Sequence, residues 1–142
     1  MTPHQATAVA IGGRALLIEG PPGSGKSSLA LALIDRGIAR GTRLIGDDGV
    51  MLEVVDGQLL AHPHPETRGL LEVRNLGLLR FDVCESAEVA LVLTLDREAP
   101  RHIEAADSVE RAGITLPMLR LWPDSPVLAI RAELALKRFG LT

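Results

Sequence analysis

Short apolar runs separated by turn residues make up most of this sequence. Ala6 to Ile11 reads as a strand, Gly12-Gly13-Arg14 as a tight turn and Ala15 to Glu19 as a second strand, which together predict a hairpin. A glycine-rich loop follows, then a helix from about Ser27 to Arg36. Its stretch from Leu29 to Ile34 is polar on almost no face, so the helix is expected to be buried, with Gly37 placed to end it. Arg43 to Gly46 reads as a third strand that stops at Asp47 and Asp48. Val50 to Val55 and Gln58 to Ala61 flank Asp56-Gly57, a strong hairpin signal. His62-Pro63-His64-Pro65 is expected to be loop, because proline disrupts ladders and helices alike. Val89 to Leu95 is the best candidate for a fully buried strand. Ile114 to Leu119 reads as another, with Pro117 calling for an edge or irregular position. A last amphipathic helix is expected from Ser125-Pro126 to Phe139, stopped by Gly140. Mixed strands and helices with hairpins predict an α/β fold with a partly antiparallel sheet.

Composition narrows the picture without naming a task. The 142 residues favour one domain, and at 46% hydrophobic they can build a core without disulfides. Eighteen acidic against fifteen basic side chains leave a net charge of −3, so a polyanion-binding surface is not expected. One cysteine, Cys84, excludes an intramolecular disulfide and reads as an ordinary thiol. Only Phe81, Trp122 and Phe139 are aromatic and there is no tyrosine, so nucleic acid stacked on aromatic platforms is not an expected partner. No apolar run reaches the roughly 20 residues of a membrane span. Met1 to Gln5 lacks the basic and apolar regions of a secretory signal, and a cytoplasmic location is expected.

The chemistry begins with Gly20-Pro21-Pro22-Gly23-Ser24-Gly25-Lys26-Ser27, a full match to G-x-x-x-x-G-K-[ST], with Ser28 next in line. Glycines let backbone amides turn inward around phosphate oxygens. The lysine then reaches the β and γ phosphates, the serine hydroxyl can ligate magnesium, and the following helix points its positive end at the same anion. A strand before and a buried helix after are the context that this mechanism requires. ATP or a similar polyphosphate with Mg2+ is therefore the expected ligand.

Such a loop needs an acid at the end of a buried strand. Asp47 or Asp48 qualifies after the third strand, and Asp96 qualifies after Leu91 to Leu95. Asp96 has the more apolar strand behind it. The adjacent pair offers a division of labour, one carboxylate for the metal and one to take a proton from an acceptor hydroxyl. Pattern alone slightly prefers Asp96, and composition does not settle the choice. A second polar cluster, Glu66 to Asn75, alternates charged with small and apolar residues across a loop running into a strand or helix.

The order of these segments resembles the catalytic domain of the HPr kinase/phosphorylase family, bacterial enzymes that phosphorylate a serine of the phosphocarrier protein HPr. Three blocks carry the likeness: Ala6 to Ser27, the strand ending Leu44-Ile45-Gly46-Asp47-Asp48-Gly49-Val50, and Glu66-Thr67-Arg68-Gly69-Leu70-Leu71-Glu72-Val73-Arg74-Asn75-Leu76-Gly77. A weaker match lies at Leu116 to Arg120. The resemblance implies a single P-loop kinase-like domain over residues 1–142, similar to the short alphaproteobacterial form without the N-terminal domain of longer members. By position it implies Lys26, Asp47, Asp48 and Arg68 as catalytic, with Glu66 joining Ser27 and Asp47 as the metal-associated set. It matches Arg120 to a mobile-loop arginine and demotes Asp96 to a structural or surface role. It further implies an HPr-like substrate within a phosphotransferase system and, from the longer relatives, a hexamer. The family histidine that stands fifteen residues before the first loop glycine falls here on Gln5, with His4 one place early.

Two other readings stay open. One is a small-molecule or nucleotide kinase, for which Arg97-Glu98-Ala99-Pro100-Arg101 would be a lid fragment, although these residues fit a strand cap better. The other is a nucleotide-dependent binding switch without turnover. His62 and His64 lack a third ligand and read as loop. Trp122 is a candidate contact residue, and Arg131, Lys137 and Arg138 are candidates for an acidic partner.

Overall fold

In a computed structural model describing residues 1–142, the chain forms eleven strands and two helices. Thr2–His4 (β1) leads to the hairpin Thr7–Ile11 (β2) and Arg14–Glu19 (β3). The glycine loop enters Lys26–Gly37 (α1), which passes through a short 3-10 turn at Ile38–Arg40 into Arg43–Gly46 (β4). A second hairpin, Val50–Val55 (β5) and Gln58–Pro63 (β6), turns at Asp56-Gly57, both in the left-handed region as that turn requires. Leu70–Val73 (β7) and Gly77–Arg80 (β8) make a small separate hairpin. Ala87–Leu95 (β9), Asp107–Arg111 (β10), Ile114–Leu121 (β11) and Leu128–Phe139 (α2) complete the chain.

The main sheet runs β1-β5-β6-β9-β3-β2-β4 and forks at β9. One edge of β9 pairs along its length with β3. The other edge takes β6 at Ala87 and Glu88, then β11 from Val92 to Leu95. Hence β9 is the strand most fully enclosed, and from Val89 to Leu93 it is buried residue by residue. One face of the sheet packs on α1 and α2 through Leu16, Ile18, Leu33, Leu91, Leu93 and Leu136. On the opposite face Leu17, Ile45 and Val92 pack with Val50, Leu59 and Leu116 from the two arms of the fork. A strand covered on both faces reads as a continuous apolar run, which is how β9 reads.

Two proline expectations are resolved by the fork. The loop expected at His62-Pro63-His64-Pro65 begins later, because His62 and Pro63 are the last residues of β6 and pair with Met51 and Val50. Proline is tolerated there because pairing with β9 is confined to Leu60 and Ala61. Pro117 lies in β11 opposite Ser108, one residue before the β9 ladder starts at Met118, which is the edge position that proline calls for. The Glu66–Asn75 segment is a turn followed by a strand, and α2 starts two residues beyond Ser125-Pro126.

Strand direction decides what meets what. β2 is antiparallel to both β3 and β4, while β9 is parallel to β3 and β11 is parallel to β9. So β3, β4, β9 and β11 share one direction, and their carboxyl ends lie together, as ligand sites of open α/β sheets require. The start of β2, running oppositely, lies at that same end.

Candidate active site

The phosphate loop is built on glycines that no other residue could replace without strain. Gly20, Gly23 and Gly25 have φ of 152°, 77° and 100°. A Cβ on Gly20 would lie 2.9 Å from Ser24 Oγ and 3.1 Å from the Leu95 carbonyl oxygen, so the loop passes hard against the end of β9. Pro21 donates no amide but its carbonyl accepts from the Ser24 amide at 3.1 Å. Lys26 Nζ folds back over the loop, donating to the carbonyls of Gly20 at 2.9 Å and Pro21 at 3.1 Å. Ser28 is exposed in the first turn of α1.

Asp47 and Asp48 arrive from β4 by a turn that depends on Gly46. A Cβ there would sit 2.4 Å from the Gly49 carbonyl oxygen. Just before it the β2–β4 ladder slips, with Val9 opposite Leu44 but Ala8 opposite Gly46, so Ile45 is an extra residue that swings the acids toward the loop. Asp47 is then fully engaged. Its Oδ1 accepts from Ser27 Oγ at 2.7 Å and Thr7 Oγ1 at 3.0 Å, and its Oδ2 accepts from the Glu72 amide at 3.1 Å. Asp48 has a left-handed backbone, φ 59°, and its amide donates to Thr7 Oγ1 at 3.2 Å. Its carboxylate meets only Gln5 Nε2, at 3.4 Å, and is otherwise open.

Three expected residues are not brought into this cluster. Arg68 donates through both terminal nitrogens to the Glu85 carboxylate. Glu66 lies exposed in the turn before β7, where its amide donates to His64 Nδ1. Arg120 is not on a loop: it is a β11 residue opposite Thr94, ion-paired with Asp107 at 2.9 Å and Asp96 at 3.5 Å. Asp96 thus pairs with Arg120 and makes no hydrogen bond to the phosphate loop, and its Oδ1 accepts from the Glu98 amide at 2.8 Å as turn chemistry.

Two features that sequence reasoning passed over stand at the site. Thr7 is one of only two polar residues in the buried set, and a threonine within an otherwise apolar strand was the available signal. Glu19, the last residue of β3, accepts from His4 Nε2 at 2.8 Å and from Arg111 at 2.6 and 3.0 Å. Burial alone would raise its carboxyl; the hydrogen bonds and charges of His4 and Arg111 outweigh burial and hold it down to about 2. The same contact raises the Arg111 guanidinium. This ion cluster pins the residue from which the phosphate loop springs.

The donor set suits a magnesium polyphosphate. Ser27 and Asp47 present hard oxygens side by side. Ser24 Oγ is buried inside the loop with no hydrogen-bond partner, a donor left for an anion.

The sequence model described as HPr Serine kinase C-terminal domain matches residues 2–113. The chain belongs to that family. The HPr kinase/phosphorylase of Clostridium beijerinckii is 35% identical over 113 residues, covering 75% of this chain and 34% of the relative. That of Clostridium tetani is 43% identical over 67 residues, covering 47% and 21%. The chain thus spans about a third of the length of the Clostridium beijerinckii relative, and of that of Clostridium botulinum. The solved Hpr(Ser) kinase/phosphatase from Coxiella burnetii superposes with a TM-score of 0.83 at 25% identity, over 96% of this chain and 89% of that one. The α/β fold with a mixed sheet is therefore the fold of this family. No helix is long and apolar enough to cross a membrane.

Proposed function

We propose that this chain is an ATP-dependent serine kinase whose acceptor is an HPr-like phosphocarrier protein of a bacterial phosphotransferase system, acting in the cytoplasm and assembling as a homo-oligomer like its longer relatives. The observation that carries the reading is the 2.7 Å hydrogen bond from Ser27 to Asp47, which joins the phosphate loop to an acid twenty residues away.

Ser27 and Asp47 are the residues that would hold Mg2+, which when bound neutralises charge on the β and γ phosphates. Lys26 exchanges the Gly20 and Pro21 carbonyls for phosphate oxygens, and Ser24 Oγ gains the partner it lacks. Asp47 is held by three donors, so the open carboxylate of Asp48 is the group free to accept the proton of a serine hydroxyl. Phosphoryl transfer then asks mainly for positioning and charge. Glu72, whose amide donates to Asp47 Oδ2, is the acidic residue of this segment that touches the acid pair. Arg68 can serve the transferring phosphate only after releasing Glu85.

The test is intact-mass detection of phosphate moved from Mg-ATP to the source organism's HPr-like protein. A gain of one phosphate on serine, lost in a variant with asparagine at both Asp47 and Asp48, is the expected result. Nucleotide binding with no transfer to that protein would sink the proposal and favour a switch without turnover, the reading that the Arg68–Glu85 pair supports.

A further inference from the structure

The acid pair is not held by its own loop alone. After the slip at Ile45, the β2–β4 ladder ends at Ala8 opposite Gly46. The next position would pair Thr7 with Asp47, and there a side chain takes over from the backbone. The Thr7 hydroxyl donates its one proton to Asp47 Oδ1 and accepts the Asp48 amide on a lone pair. Thr7 is fully buried, and its backbone is fixed opposite Ile18 of β3, the strand that launches the phosphate loop. One hydroxyl thereby references both acids to the loop.

We propose that Thr7 is a positioning residue that sets the two acids to different tasks. Its proton turns Asp47 Oδ1 toward Ser27, and its lone pair holds Asp48 in the left-handed conformation that leaves the neighbouring carboxylate open. Aspartate tolerates positive φ better than most residues, and the Thr7 acceptor on its amide selects that conformation here. The inference rests on the kinase reading for its consequence in catalysis, but the restraint itself is a property of the protein without ligands.

Two measurements test it, on Thr7→Val, which keeps shape and branching, and Thr7→Ser, which keeps the hydroxyl. Thr7→Ala replaces Thr7→Val should the latter not fold. In ligand-free protein, amide hydrogen exchange at Asp48 should rise about fivefold or more in Thr7→Val, the factor that one ordinary hydrogen bond represents, with Val9 and Leu17 unchanged. Thr7→Ser should exchange like wild type. An unchanged Asp48 amide in Thr7→Val overturns the proposal. In phosphate transfer, Thr7→Val should lose about 10- to 100-fold in kcat with the KM for ATP held within twofold, and Thr7→Ser should restore it. A kcat within twofold of wild type also overturns it. Wild-type protein that transfers nothing would refute the kinase reading instead. Thr7 would then be judged by the exchange data and by Mg2+ titration of nucleotide binding, where an unchanged half-saturation in Thr7→Val would overturn it.

Discussion

Glu19 offers the sharpest test of how this site is anchored. Its carboxyl is held at about 2 against an ordinary 4.5, through two hydrogen bonds from Arg111 and one from His4. At about 1.4 kcal/mol per unit the full linkage would reach roughly 3 kcal/mol. Glu19 is 16% exposed but its partners are 26% and 27% exposed, so water screens the cluster and about 1–2 kcal/mol is the expected net. The folded-state value is depressed, so this stability is present above the unfolded value of 4.5 and is lost as pH falls toward 2. Urea denaturation of wild type and Glu19→Gln should therefore differ by about 1–2 kcal/mol at pH 7, by roughly half of that near pH 3, and by almost nothing at pH 2. A gap that stays constant across this range would refute the electrostatic account, since loss of packing does not titrate. Equal stability at pH 7 would refute the anchoring role as well.

Other changes have separate mechanisms. Gly46→Ala drives a methyl into the Gly49 carbonyl, so it should lower stability by about 1–3 kcal/mol in urea melts and abolish phosphate transfer by shifting Asp47 and Asp48. Leu93→Ala empties a fully buried position on the central strand and should cost about 2–5 kcal/mol with an unchanged m-value. In the proposed site Lys26 would make a charge-assisted contact to phosphate, so for Lys26→Ala isothermal titration should show ATP affinity about 10- to 100-fold weaker while the melting temperature stays close to wild type.

What could be read from the sequence was whatever is local. The phosphate loop needs eight adjacent residues and a strand before it, and both are written consecutively from Ala15 to Ser27. The Asp56-Gly57 hairpin and the apolar run of β9 are equally self-contained. β1, β8 and β10 were not legible, being three to five residues long and carrying mostly exposed side chains with no apolar alternation, and the four residues of β7 were too few to separate strand from helix. Side-chain partnerships were harder still. Arg68 meets Glu85 seventeen residues on, and Glu19 meets Arg111 ninety-two residues on. Nothing local in either residue signals its partner.

The N-terminal crossing from β1 to β2 shows why such partnerships nonetheless follow from topology. β2 runs against β3 and β4, so its first residue stands at their carboxyl ends. β1 pairs with β5 so that His4 lies opposite Val50, just past the acid pair. A segment of four residues is thereby led past the whole site, and its polar side chains are used in turn: His4 on Glu19, Gln5 on Asp48 and Thr7 on Asp47. A strand crossing between two of the same direction must start where they end, so any polar residue at its start is offered to the site. The departure at Gln5 lies in the same segment. A glutamine beside Asp48 can donate a hydrogen bond but cannot exchange a proton near neutral pH, as a histidine could. The difference bears on proton handling at Asp48 and leaves the hold on Asp47, which Thr7, Ser27 and the Glu72 amide share, intact.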